Sequence, residues 1–362
     1  MEKVSQHRTG ETMNILVLGN FTDHQSADYV MEAFNEIGKN KWAIGGVDTR
    51  GIMRDHTPIE GQKLILEEVD DFQYSPDIVV VLKGLEIILD TLQRIKDKYP
   101  NAIYVNWFYD KYLDEKPIWE RKNYFDVIKF FDFYFCSLKG VADKLRDEGL
   151  SNVYHLPEAC HPTSHGQMFL NHYQTQKYGS DVAFCGSVGY LVQHPERMQL
   201  LHRVKVEGYD LKIWGDLVCP TKLVPQEIRE SMAGVPVINQ DHSKVVQSAL
   251  INLGIDQDTS INQGWSARLY RVMCAGGLYL TNATKGLDEV FKINKAGEPV
   301  TADQDLVVYY SANDLVEKID FLLEHESIRV SIAHNGQNTV LENHKFVDRI
   351  AEMINKIEKE MK

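Results

Sequence analysis

The sequence predicts an α/β protein of two Rossmann-like domains, each a parallel sheet covered by helices, facing a cleft. Three observations lead there. Near-continuous apolar, β-branched runs alternate with stretches of helical periodicity, the pattern of parallel strands buried on both faces. A polar stretch from His161 to Ser180 interrupts the alternation, which then restarts. The chain of 362 residues, at roughly 100 to 200 per domain, has room for two cores.

Residues 1–12 are polar and mixed in charge, which predicts a loose tail without the apolar stretch of a secretory signal. Residues 13–20 read as a buried strand ending in a turn at Gly19, and 27–37 carry apolar positions at helical spacing. Strands follow at 76–82 and 102–107, with a helix over 85–98 between them. Strands at 133–136 and 152–156 flank a helix over 139–148, closed by Gly149 as a C-cap. These elements make a first domain over 13–165. A second, over 166–345, starts with a strand at 181–185 running into Gly186-Ser187, a helix over 196–204 and a strand at 211–214 that ends at Gly215. It continues with a strand at 248–253, a helix over 267–275, the pair Gly276-Gly277, and strands at 278–281 and 305–309. Helical periodicity over 315–323, 328–341 and 347–359 completes the chain, with 346–362 a terminal helix, and these C-terminal helices are expected to pack back toward the first domain. No repeat at solenoid periods is visible.

The 39 Lys and Arg against 52 Asp and Glu give a net charge of -13, a field that repels polyanions and works against nucleic acid as a partner. A small anion is still bindable where local arginines and helix N-termini override the global charge. Charge cuts every apolar run well short of the roughly 18 residues of a membrane span, so a cytoplasmic protein is expected. Cys136, Cys160, Cys185, Cys219 and Cys274 are odd in number, widely spaced and set in apolar runs, which predicts reduced core thiols and no zinc site.

No Gly-x-Gly-x-x-Gly or Walker sequence follows any strand, so a dinucleotide cofactor or an ATP loop has no direct support. Ligands of open α/β sheets lie outside the C-terminal strand ends, which directs attention to Gly19, Gly186 and Gly215. The turn Phe184-Cys-Gly186-Ser187 suits backbone N–H groups approaching a phosphate, or simply a change of direction. The most informative segment is Gly264-Trp-Ser-Ala-Arg268-Leu-Tyr-Arg271-Val-Met-Cys-Ala-Gly276-Gly277. With Ser266 as N-cap, Arg268 and Arg271 fall in the first turns of a helix, three apart and on one side. Cations there oppose the helix dipole, which points to an anionic partner such as a diphosphate; the alternative is salt bridging to surface carboxylates.

The runs Ile251-Asn-Leu253, Ala267-Arg268-Leu-Tyr-Arg-Val-Met-Cys-Ala-Gly276 and Gly286-Leu-Asp-Glu-Val-Phe291 resemble the nucleotide-sugar site of CgeB-like glycosyltransferases. Asp181 to Ser187, Glu196-Arg197, Leu211 to Gly215 and the stretch from Ala312 to Arg349 are similar to the rest of that family's C-terminal domain. Tyr74 to Leu82, Trp107 to Asp110 and Asn152 to Pro157 match its N-terminal pattern more loosely. The resemblance implies the two-domain fold called GT-B, with a nucleoside-diphosphate sugar of uridine or guanosine on the C-terminal domain and the acceptor on the N-terminal one, usually without a metal. It places Gly186 and Ser187 near the phosphates, Arg197 and Arg268 as neutralising charges with Arg271 beside them, the Trp214-Gly215 turn at the base, and Asn252 and Trp265 along the site. One departure stands out. Related group 1 transferases carry a Glu just before the Ala-x-Ala-Cys-Gly run and another about eight residues earlier; here Arg271 and Gln263 stand there. A guanidinium only donates, so donor binding is expected to be rearranged or lost.

Glycosyl transfer needs stabilisation of a departing diphosphate, for which Arg268 is the candidate, and inversion also needs a base on the acceptor. Asp110, at a strand end, and His161, at the domain junction, are the candidates, each with the plainer alternative of a cap or a structural side chain. The aromatics Trp107, Phe108, Tyr109, Tyr112, Trp119, Tyr124 and Phe125, with Phe130, Phe131, Phe133, Tyr134 and Phe135, suit stacking on sugars or a lipid carrier, and suit a core better. His155, His161 and His165 lack metal-ligand spacing. The expected function is transfer of a sugar to an unidentified glycan, protein or small-molecule acceptor. The competing readings are a degenerate fold that binds without turnover, a nucleic-acid glucosyltransferase and a sugar-nucleotide epimerase.

Overall fold

The computed structural model describes residues 12–21, 26–110, 125–189 and 195–361. The chain forms two compact units, one of residues up to 158 together with Phe346–Lys362, the other Ala159–Lys345. The first holds a parallel sheet of β1 (Asn14–Gly19), β2 (Ala43–Asp48), β3 (Ile78–Leu82), β4 (Ile103–Phe108), β5 (Phe133–Cys136) and β6 (Val153–His155), in the order β2-β1-β3-β4-β5-β6. The second holds β7 (Ser180–Cys185), β8 (Leu211–Trp214), β9 (Met232–Gly234), β10 (Ala249–Gly254), β11 (Tyr279–Asn282) and β12 (Val307–Tyr309), in the order β12-β11-β10-β7-β8-β9. Both are Rossmann-like, and in both the apolar runs are the central strands: β3 and β4 are buried at every position.

Each sheet reverses its winding once. In the first unit this lies between β1 and β3, in the second between β7 and β10, and a crevice opens at the C-terminal ends of such a pair. The strand β2, Ala-Ile-Gly-Gly-Val-Asp, and the helices Thr49–Asp55 and Pro58–Asp70 escaped the sequence reading, because two glycines break the apolar run. The latter helix carries a full capping box at Thr57 and Glu60, a signal present in the sequence.

The polar stretch after His161 is more than a connection. It contains the short helices Pro162–His165 and His172–Tyr178, and Met168 exchanges two hydrogen bonds with the Gln247 side chain of the second unit. Of the C-terminal helices, Ala312–Glu324 and Glu326–Asn343 belong to the second unit, whereas Phe346–Glu360 returns to the first. There Phe346 packs on Tyr29 and Trp107, and Arg349 donates to the Pro157 carbonyl at 3.1 Å. Trp107, Phe108, Phe131, Phe133, Tyr134 and Phe135 are buried in the first core, so these aromatics pack rather than offer a stacking face. Tyr112, Trp119, Tyr124 and residues 1–11 of the expected tail lie outside the described residues. All five cysteines are free thiols, with Cys136, Cys160 and Cys274 buried. No described helix is long and apolar enough to cross a membrane.

Candidate functional site

At the β7/β10 crevice of the second unit, the chain leaves β7 through Gly186 and Ser187 and leaves β10 through Ile255 and Asp256. Arg197, on the helix Pro195–Val206, joins the two exits: Nη1 donates to the Ser187 carbonyl at 2.9 Å and Nη2 to the Ile255 carbonyl at 3.0 Å. Arg268 opens the helix Arg268–Cys274, and its Nε donates to the Cys185 carbonyl at 2.8 Å. The two guanidinium carbons lie 5.4 Å (Arg197) and 5.0 Å (Arg268) from the centre of the Phe184 ring, so two cations share one aromatic residue at the strand end. Burial pushes the Cys185 thiol up to about 12, leaving it an inert neighbour despite Arg268.

Glycines allow this closeness. A Cβ on Gly186 would meet Arg268 Nη2 at 2.8 Å, and one on Gly215 would meet the Gly186 carbonyl oxygen at 2.2 Å. The turns after β7 and β8 therefore touch backbone to backbone, as their sequence pattern of strand then glycine suggests. Trp214 is buried against Tyr178, ring centres 5.3 Å apart, and its Nε1 has no hydrogen-bond partner in the structure.

Arg268 Nη1 and Arg271 Nε are buried nitrogens without a hydrogen-bond partner. Ser266 does not cap the helix as expected: the N-cap position is Ala267 in helical conformation, and the Ser266 backbone N–H donates instead to Asp256 Oδ1 at 3.3 Å. Arg271 borders two buried histidines. Burial, then Arg271, then Arg268 hold His242 down to about 3. Burial, then Arg271, His242 and His161 hold His165 well below its usual range. Both rings are thus neutral at pH 7, and Arg268 and Arg271 supply the positive charge of this cluster. Asp256 and His242 were missed from sequence, where His165 was weighed only as a metal ligand; of the two, only Asp256 had a signal, standing just past an apolar strand at the predicted ligand edge.

Two expected lining residues turn inward. Asn252 is buried within β10, with Nδ2 donating to the Val246 carbonyl at 3.2 Å. Trp265 is buried with Nε1 donating to Tyr270 Oη at 3.0 Å and its ring edge-on to Phe291. Gln263, with φ 47°, donates to the Glu289 carboxylate at 2.8 Å. His161 precedes the helix Pro162–His165, its Nδ1 3.1 Å from Ser164 Oγ.

In the first unit, Asp110 stands just past β4 and pairs with Lys83 Nζ at 2.9 Å. Lys83 follows β3 with φ 58°, a left-handed backbone uncommon for lysine, and Asn106 Nδ2 holds its carbonyl at 3.1 Å. Among the described residues no three His, Cys, Asp or Glu side chains converge as a metal site.

A family model described as glycosyl transferase-like matches residues 196–355. No curated protein matches the chain. Solved structures do. The HepE protein of Anabaena, in complex with UDP-glucose, superposes with a TM-score of 0.65 at 10% identity, covering 96% of this chain and 100% of that one. Sucrose-phosphate synthase from Thermosynechococcus elongatus gives 0.63 at 11% identity, covering 95% and 99%. An α-glucosyltransferase in complex with UDP-glucose and DNA containing an abasic site gives 0.64 at 11% identity, covering 96% and 99%. At these identities the likeness shows the fold, that of glycosyltransferase-like proteins of GT-B type. It also corrects one expectation. The argument against nucleic acid from net charge does not stand, because two of the similar structures are α-glucosyltransferases with DNA bound. A charge summed over a whole chain does not report the local field at a docking surface, which decays within a Debye length.

Proposed function

We propose that the chain is a CgeB-like glycosyltransferase that moves a hexosyl group from a uridine or guanosine diphosphate sugar to an acceptor. The observation that carries this reading is Arg268, fixed at a strand-end crevice by Cys185 and Phe184 yet with Nη1 unpartnered. A buried guanidinium nitrogen without a hydrogen-bond acceptor is costly, and a diphosphate supplies both charge and acceptor oxygens. Gly186 and Ser187 bring backbone beside it, and Arg197 adds charge while holding the two strand exits together. Arg271, flanked by neutral histidines, extends the positive site. Likeness to proteins solved with UDP-glucose supports the donor class.

In this mechanism Arg268 stabilises the charge that develops on the departing diphosphate, and no metal takes part. Asp110 or His161 takes the acceptor proton if the transfer inverts. Acceptors to screen include glycans, proteins, small molecules and, given the DNA-bound relatives, DNA.

The test is thermal shift with UDP, GDP, CDP, TDP and ADP sugars in the presence of EDTA, since a ligand bound only by the native state raises its stability. One base is expected to stabilise the chain without metal. Arg268→Ala is expected to weaken that donor by about 10- to 100-fold, one charge-assisted bond's worth, measured below the ligand-free melting temperature of the variant, which falls as the Cys185 carbonyl loses its donor. Unchanged affinity overturns the assignment of Arg268, and no shift with any donor overturns the donor reading.

A further inference from the structure

Two acids of the second unit, Asp256 and Asp305, are each 8% exposed, and they are treated differently by the fold. Asp305 is satisfied at both oxygens: Oδ2 accepts the Lys292 backbone N–H at 2.8 Å and Oδ1 the Thr339 hydroxyl at 3.1 Å. Asp256 accepts the Ser266 N–H at Oδ1, while its buried Oδ2 has no hydrogen-bond partner. Nor is the residue free to turn away. Its backbone N–H donates to Asn282 Oδ1 at 2.9 Å, Asn282 Nδ2 donates back to its carbonyl at 3.1 Å, and Arg197 holds the carbonyl of Ile255 just before it. The fold therefore holds a lone carboxylate oxygen at the end of β10 against a desolvation cost.

Arg268 is close enough to bias this carboxyl: burial pushes Asp256 up, and Arg268 is the foremost group pulling it down, with Ser266 and Arg197 behind. Yet the two form no ion pair, and Arg268 Nη1 is also unpartnered. Asp256 Oδ2 and Arg268 Nη1 share this place with the Ser266 and Tyr279 hydroxyls, all buried without a hydrogen-bond partner, a set that fits a ligand offering a hydroxyl beside an anionic oxygen. In a glycosyl phosphate these stand on neighbouring atoms, the C2 hydroxyl next to the carbon that carries the phosphate.

We propose that Asp256 is a specificity-determining residue, its Oδ2 accepting the C2 hydroxyl of the sugar being transferred while Arg268 Nη1 donates to the adjoining phosphate. The inference rests on the sugar-nucleotide reading above. It names an acceptor of hydroxyls where Gln263 and Arg271 cannot serve as carboxylates. The substrate class is a donor with a hydrogen-bond donor at C2, so 2-deoxy sugars are discriminated against.

The experiment measures affinity by calorimetry for UDP, UDP-glucose and UDP-2-deoxyglucose, and for the corresponding guanosine set, on the native chain, Asp256→Asn and Asp256→Ala. The native chain is expected to prefer the glucose donor over its 2-deoxy analogue by at least about tenfold, the size of one hydrogen bond to a charged group. Both variants are expected to lose that preference while keeping affinity for the bare diphosphate, which also certifies that they fold. Equal affinity of the native chain for the two donors, or variants that keep the preference, overturns the proposal while leaving the donor reading intact. Binding of neither nucleoside diphosphate nor sugar donor in either set overturns both.

Discussion

At the scale of single residues, the crevice depends on glycines for unequal reasons. Gly186 has φ 157°, a backbone that L side chains rarely adopt, and a methyl there meets Arg268 Nη2 at 2.8 Å and the Phe184 ring at 3.2 Å. Gly215 has no positive φ, but a methyl there meets the backbone oxygen of Gly186 at 2.2 Å. Gly186→Ala is therefore expected to lower the melting temperature through backbone strain and to weaken the donor through a displaced guanidinium. Gly215→Ala is expected to cost about 1–3 kcal/mol, as for overpacking elsewhere. Paired melts and donor titrations check both, and a variant that keeps its stability would contradict this geometry. The glycines and Asp110 were legible as strand-end residues of a doubly wound pattern, and Arg268 as a cation in the first turn of a helix. A motif locates a residue along the chain, not the direction of its side chain: Asn252 Nδ2 and Trp265 Nε1 both donate inside the core.

At the scale of elements, β7 and β10 are neighbours whose exits diverge, and Arg197 bridges them with two charge-assisted bonds to carbonyls. Its side chain is 7% exposed, so its loss strands those carbonyls. Arg197→Met is expected to lower stability by about 2–4 kcal/mol, read as a shifted denaturation midpoint with unchanged slope. A change confined to donor affinity would instead make Arg197 a phosphate ligand and no staple. The sequence places it in the first turn of a helix after β7, but nothing local to residue 197 announces its bond to the carbonyl of Ile255, 58 residues on.

At the scale of the whole molecule, both units bury neutral histidines. Burial takes His155 of the first unit down to about 4 and His242 of the second down to about 3. Each folded value lies below the usual value near 6.5, so between the two the unfolded chain binds a proton that the folded chain refuses. Their stability is complete above about pH 6.5 and is lost as the pH falls, His155 levelling off near 4. At pH 5 the loss through His242 alone is about 2 kcal/mol. The melting temperature is expected to fall between pH 7 and pH 5, and His242→Gln to fall less steeply from its own neutral value. An unchanged slope in that variant would show that His242 is charged or exposed in the fold.

Hydrophobic periodicity is a local property, and it was enough to read both parallel sheets, ten of whose strands are apolar runs, and the helix that carries Arg268 and Arg271. It failed at β2 and β9, where glycine and brevity erase the run, and at residues 161–180, where short helices are held by long-range bonds. The crevice itself belongs to tertiary structure. Arg268 meets Cys185 across 83 residues, and Asp256 is fixed by Asn282, 26 residues away. Such contacts arise when the strand order places β10 beside β7, so the alternation of strand and helix established the fold class, and only the packed sheet decided which polar atoms are satisfied and which are left for a ligand.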